Sequence, residues 1–255
     1  MSGQFIRTLM RAWVVVMAIA VADVSAQESA NDAELILVAG ATGRTGSEVV
    51  TKLVSNGYAV RAFVRDIEAA REKLGDNVEY AQGDVREIET IVAALDGVDA
   101  LISAIGAGRG DPANGPEFVD FGGVKNLAEA ASSAGLRQVV LVSSMGVTQE
   151  DHILNKMFNN VLLWKFKGED ALRASGVPYT IVRPGGLTNA AGGEFAVVFA
   201  QGDGDAGAIP RADVAHVCVA ALGTSEALNK TFEINSGKQT PAEDLVVGFS
   251  GLVGD

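Results

Sequence analysis

The stretch "LVAGATGRTGSEVV" (37–50) decides the fold. An apolar run ends at Gly40, glycines recur at Gly43 and Gly46, and an amphipathic segment continues to Asn56. This is the spacing of a strand–turn–helix built around a pyrophosphate. Gly40 permits the tight turn, Gly43 lets the backbone approach the phosphates, and Gly46 lets the helix pack closely on the sheet. The first N–H groups of such a helix have no partner within it and face the anion. Thr42, Arg44 and Thr45 fill the spaces between the glycines and are expected to contact the cofactor with them. A glycine triplet alone is a weak signal, but a strand before it and a helix after it supply the required context.

Working outward, the same alternation repeats. After "ELILVAG" (34–40), apolar runs at 58–65, 77–85, 100–106, 137–144, 178–186 and 230–236 read as further strands separated by helical segments. Continuous Val/Ile/Leu strands between helices predict parallel strands covered on both faces. The expected fold class is therefore α/β, a doubly wound parallel sheet in a single domain, with its ligand at the carboxyl ends of the strands. The glycine-rich region Leu187 to Ile209 interrupts this pattern and is expected to form a lid or substrate-facing loop.

The end of the second strand bears on the choice of cofactor. An acidic residue there would hydrogen-bond the ribose 2′-hydroxyl of NAD, whereas an arginine accommodates the 2′-phosphate of NADP. "VRAFVRD" places Arg65 at that point, favouring NADP (NADPH), while Asp66 leaves NAD as the less favoured alternative. Asp84 and Val85 close the third strand where an adenine would lie, and Ser103 and Ala104 close the fourth. Either pair is equally compatible with ordinary turn chemistry.

The chain has 255 residues, 48% of them hydrophobic, with a formal charge of −12. That balance argues against nucleic acid and anionic membrane as bulk partners and leaves a small-molecule substrate of unknown identity. Arg7 and Arg11 precede the apolar run Ala12 to Ala22, and small residues stand at Val24 and Ala26. This is the pattern of a secretory signal peptide, residues 1–26, ahead of a domain spanning 27–255. The run is short of the about 20 residues a membrane span needs, so no stable span is expected once the signal is removed. Cleavage would make the protein periplasmic or secreted, or place it in an organelle lumen. No metal site is expected. The single cysteine, Cys218, lies in an apolar helical pattern and reads as a buried small hydrophobe.

Together, "VAGATGRTG", "VRAFVRD", "GDV", "LVSSMGV", "WKFKGEDALRASGVPYTIVRPGGL" and "IPRADVAHVCVAAL" resemble the short-chain dehydrogenase/reductase superfamily. More narrowly, they resemble its atypical branch of NmrA-like, NAD(P)H-binding single-domain proteins, and in wording the plant chloroplast and cyanobacterial-type members. The resemblance implies a Rossmann fold and NADP(H) binding. It also implies that Lys165 holds the nicotinamide ribose, that Ser143 or Ser144 faces the substrate, and that Pro184 and Gly185 border the nicotinamide.

One departure stands out. Reductases of the superfamily carry a tyrosine four residues before the lysine, on the same helix face. Here that position is Val161, which cannot transfer a proton. His152, in the loop after the fifth strand, is a candidate substitute acid, since histidine titrates in the useful range. Two readings stay open. One is an oxidoreductase delivering hydride to a small quinone- or carbonyl-type substrate without the tyrosine. The other is a non-catalytic NADP(H)-binding redox sensor or partner-binding module.

Overall fold

Strand β1 (Leu35–Ala39) runs parallel between β2 (Ala59–Val64) and β4 (Ala100–Ser103). Its alternation divides the core in two. Ile36 and Val38 join one apolar layer, Leu37 and Ala39 the other, because successive strand residues point to opposite faces. A strand buried on both sides has no polar face, which is why it reads as an unbroken apolar run.

The computed structural model describes residues 33–108, 111–204, 207–238 and 245–255. The expected signal peptide, residues 1–26, lies outside them. Residues Glu34–Asp255 form one compact unit. Among the described residues no helix is long and apolar enough to cross a membrane.

The main sheet has the order β3-β2-β1-β4-β5-β6-β10-β8, with β3 at Glu79–Gln82, β5 at Val139–Val142, β6 at Tyr179–Pro184, β8 at Val197–Ala200 and β10 at Lys230–Ser236. Every adjacent pair is parallel except β10 with β8. On one face lie α1 (Arg44–Ser55), α2 (Ile67–Leu74) and α7 (Arg211–Ala221). On the other lie α3 (Ile88–Ala94), α4 (Val124–Ala134) and α6 (Val161–Ala174). Chain order reverses between β1 and β4, and this switch point opens a crevice at the strand ends. The architecture is the doubly wound Rossmann arrangement.

The region Leu187 to Ile209 differs from its reading as an interrupting loop. It contains β7 (Gly186–Thr188) paired with β9 (Ala208–Pro210), and the antiparallel edge strand β8. Phe199 of β8 packs against Phe232 and Phe249 at centroid distances of 5.5 and 5.3 Å. Its paired residues on β10 lie 33 to 39 positions onward, from Ala200↔Glu233 to Val197↔Ser236, so the pairing depends on tertiary contacts rather than on local pattern. Short helices α5 (Ile153–Met157) and α8 (Val246–Ser250) complete the unit.

Candidate functional site

The crevice at the switch point is a cleft of about 420 Å³. Gly40, Thr42, Gly43, Arg65, Asp84, Val85 and Ala104 all line it. Gly40 has φ +78°, and a Cβ there would come 2.7 Å from the Ala104 carbonyl oxygen. A Cβ on Gly46 would press into the Gly40 carbonyl, so the start of α1 packs directly on the turn. Gly43 caps α1 without any side-chain hydrogen bond, and the first turn carries no acid. The leading N–H groups are thereby left for an anion. Thr45 and Ser103 are buried, and among the described residues the Ser103 hydroxyl has no hydrogen-bond partner. Bare loop, orphaned N–H groups and a cleft between strand ends fit a dinucleotide.

Basic side chains gather near the glycine loop. Arg44, Arg65 and Lys73 each lack a carboxylate within 4.0 Å among the described residues, whereas Arg61, Arg71, Arg86 and Arg137 each have one. Lys73 reaches from α2 to donate to the Thr42 carbonyl at 2.6 Å. Arg211, at the start of α7, donates to Asn189 Oδ1 at 2.6 Å. Burial, and then the nearby Arg44 charge, lower the pKa of Arg211. Asp66 accepts from the Ala69 N–H and caps α2, so its carboxylate is already engaged. Asp84 is gripped by Arg86 through two hydrogen bonds of 2.9 and 2.6 Å, which hold its carboxyl below the usual range. Lys73, Arg86 and Arg211 escaped the sequence reading. Lys73 is separated by 31 positions from the Thr42 carbonyl that it reaches.

The remaining expected residues do not line this cleft. Lys165 Nζ stands 2.7 Å from Asp120 Oδ1, and Asp120 is almost wholly buried. Asp120 Oδ2 accepts the Ala107 N–H, tying the lysine to the loop that follows β4. Asp120 sits in a π-helical turn, Glu117–Gly123, packed against α6. A Cβ on Gly168 of α6 would collide with the Asp120 carbonyl. Four residues beyond Lys165, buried Glu169 accepts from Ser143 Oγ at 2.6 Å and from Arg183 Nη2 at 2.6 Å. Ser144 Oγ donates to the Met145 carbonyl. Both serine protons are thus already given to protein acceptors. Pro184 accepts the Met145 N–H and Gly185 donates to Ile234, holding the end of β6 beside the serines. His152 Nδ1 accepts the Leu154 N–H and caps α5. Cys218 is fully buried, its thiol pushed up to about 12.

A second cleft, of about 750 Å³, adjoins the first at Gly108 and Asp111. Val161 lines it, with Trp164, Phe118 and Met157. The place of the missing tyrosine is therefore part of the wall of an aromatic cavity beside the nucleotide cleft.

A family model described as NAD(P)H-binding matches residues 40–225. Sanguinarine reductase of Eschscholzia californica is 39% identical over 242 residues, covering 79% of this chain and 88% of that protein. Protein TIC 62, chloroplastic, of Pisum sativum is 38% identical over 178 residues, covering 61% and 33%. Among solved structures, a putative NAD-dependent epimerase/dehydratase from Bacillus halodurans superposes with a TM-score of 0.75 at 26% identity, covering 86% of this chain and all of the other.

Proposed function

The chain belongs to the NAD(P)H-binding family, an atypical branch of the short-chain dehydrogenases/reductases, and on that premise we propose an NADPH-dependent oxidoreductase. Its substrate is a small quinone- or carbonyl-type acceptor, reduced without a tyrosine. The observation that carries this reading is the junction of the two clefts at Gly108 and Asp111, with Val161 in the wall of the second. NADPH, when bound, would supply the hydride, and water the accompanying proton. Gly40, Thr42, Gly43 and the start of α1 hold the pyrophosphate, with Arg44 beside it. Asp84 and Val85 border the adenosine half, and Ala104 lets the backbone pass along the cofactor. Lys165, steadied by Asp120, would hold the nicotinamide ribose. Ser143 and Ser144, their protons engaged, and Pro184 and Gly185 would border the nicotinamide from outside the two clefts.

NADP is favoured over NAD because Arg65 borders the cleft while Asp66 is committed to capping α2. The similarity to a protein named as a reductase favours turnover. NADPH oxidation measured against a panel of quinones is the direct test, with saturable turnover expected. Tight NADP binding with no turnover across the panel would sink this reading in favour of a redox sensor. That second reading draws on the same engaged serine protons and the absent tyrosine. Arg65→Asp should weaken NADP by about 1–3 kcal/mol, the scale of a charge-assisted contact, as read by titration.

Residues 1–26 are proposed as a cleaved targeting segment preceding the domain 27–255. A relative named as chloroplastic favours an organelle over export. Sequencing the amino terminus of the native protein decides cleavage. A terminus upstream of Gln27 would overturn it.

A further inference from the structure

We propose that the side-chain amide of Asn159 receives the reducible oxygen of the acceptor, in the role that the missing tyrosine would serve. The inference rests on the oxidoreductase reading above and assigns that site a further catalytic residue. The amide is a hydrogen-bond donor that polarises the oxygen and passes it no proton.

The backbone singles this residue out. Among the described residues other than glycine, φ is positive at Asn159, Asn160, Asp203 and Asn229. Asp203 and Asn229 spend their side chains on protein N–H groups, of Thr148 at 2.9 Å and of Tyr179 at 3.2 Å. Asn159 and Asn160 are adjacent, at φ 52° and 58°, and neither side chain has a hydrogen-bond partner among the described residues. Two left-handed residues in succession are costly for an L-amino-acid chain, and here the pair is enforced from beneath. Asn155 is buried, and its Oδ1 accepts the Leu162 and Leu163 N–H groups at 2.9 and 3.3 Å. Its Nδ2 donates to the Glu150 carbonyl at 3.0 Å, and its own carbonyl accepts the Asn160 N–H at 2.9 Å. One buried residue thus fixes both the turn after α5 and the start of α6. A costly backbone conformation held by its surroundings is a pointer to function.

The cleft supplies the function. Asn159 is exposed and lines the second cleft with Val161 and Trp164, whereas Asn160 does not line it. That cleft, about 750 Å³, is within the range of small-molecule sites and adjoins the nucleotide cleft at Gly108 and Asp111. Asn159 stands two residues before Val161, at the end of α6 where the tyrosine would have stood. The Ser143 and Ser144 protons are already given to Glu169 and Met145. An unengaged amide offers two N–H donors. Hydride arriving at a quinone leaves negative charge on its oxygen, and a fixed donor stabilises that charge as it develops. The nicotinamide is oxidised, the quinone gains the hydride and then a proton from water, and the amide ends unchanged.

NADPH oxidation by 1,4-naphthoquinone is followed in the full chain and in Asn159→Gly, Asn159→Asp and Asn160→Gly. Glycine adopts a positive φ without penalty. Aspartate keeps the shape, tolerates this conformation and loses both donors. In both Asn159 variants kcat should fall at least about tenfold, while NADP affinity and melting temperature hold. Asn160→Gly should match the unaltered chain. Trp13→Phe leaves Trp164 as the remaining tryptophan, so its quenching reports quinone binding to the NADP-saturated protein. That binding should weaken at least about threefold in both Asn159 variants. Full activity in Asn159→Gly, or equal losses in Asn159→Gly and Asn160→Gly, would overturn the role of the amide and leave the oxidoreductase reading standing. No turnover in the unaltered chain, with quinone binding weakened in both Asn159 variants, would overturn the oxidoreductase reading and keep the amide as the oxygen's partner. No turnover with binding unmoved would overturn both.

Discussion

At the scale of single residues, cofactor preference turns on what each charged group is already doing. Arg65 and Asp66 are neighbours with opposite implications, and sequence alone leaves both available. Asp66 is spent on the Ala69 N–H, a capping contact that any Asp before a helix can make. Lys73 adds a cation that no motif announced, because two turns of α2 separate it from Arg65 and the Thr42 contact spans 31 positions. Lys73→Ala should weaken NADP by about 1–3 kcal/mol, as expected for a hydrogen bond to a charged group. NAD, which lacks the phosphate, should bind unchanged. Paired titrations of the two nucleotides check this, and equal losses for both would remove Lys73 from the phosphate site.

At the scale of elements, α6 gathers the site through its four-residue spacing. Val161, Lys165 and Glu169 share one face, and each meets a different partner: the second cleft, Asp120, and Ser143 with Arg183. That face was legible in the sequence because a helix repeats every 3.6 residues. Its partner was not. The π-helical turn at Glu117–Gly123 widens the backbone locally and sets Asp120 against the lysine, and such single turns leave no periodic signature. Asp120→Asn should raise the NADP dissociation constant several-fold and lower stability by about 1–3 kcal/mol. With Lys165→Met already present it should raise the dissociation constant no further, if Lys165 holds the ribose as proposed and Asp120 acts only through the lysine. A double-mutant cycle with NADP titration and urea unfolding separates these outcomes.

At the scale of the whole molecule, hydrogen-bonded carboxylates tie distant segments together. Burial pushes Asp203 up, but hydrogen bonds from the Gly146 and Thr148 N–H groups outweigh it and hold the carboxyl below its ordinary 3.8. Asp255 behaves alike: burial raises it, and Thr231, Tyr179 and Arg173 pull it lower overall. A carboxyl depressed in the folded state contributes stability above its unfolded pKa and loses it as pH falls through the folded one. The melting temperature should therefore fall as pH drops below about 3.8, and fall less steeply in Asp203→Asn. Glu233 acts in the other sense. Burial raises it, so the folded chain keeps that proton longer and loses stability as pH climbs past the ordinary 4.5. Melting curves across this range, for both chains, test the assignment.

The sequence by itself determined the parallel sheet, the glycine turn and the nucleotide cleft, because strand alternation, helix period and glycine sterics act over a few adjacent residues. It also exposed the absent tyrosine, since four residues along a helix is a local distance. Only the tertiary structure decided where the serine protons go, that Asp120 holds Lys165, that Lys73 reaches the glycine loop, and that Val161 opens onto an aromatic cavity. The Ser143–Glu169, Lys73–Thr42 and Lys165–Asp120 contacts span 26, 31 and 45 positions, and burial of charge against charge is a property of the packed molecule, with no imprint on any single stretch of chain.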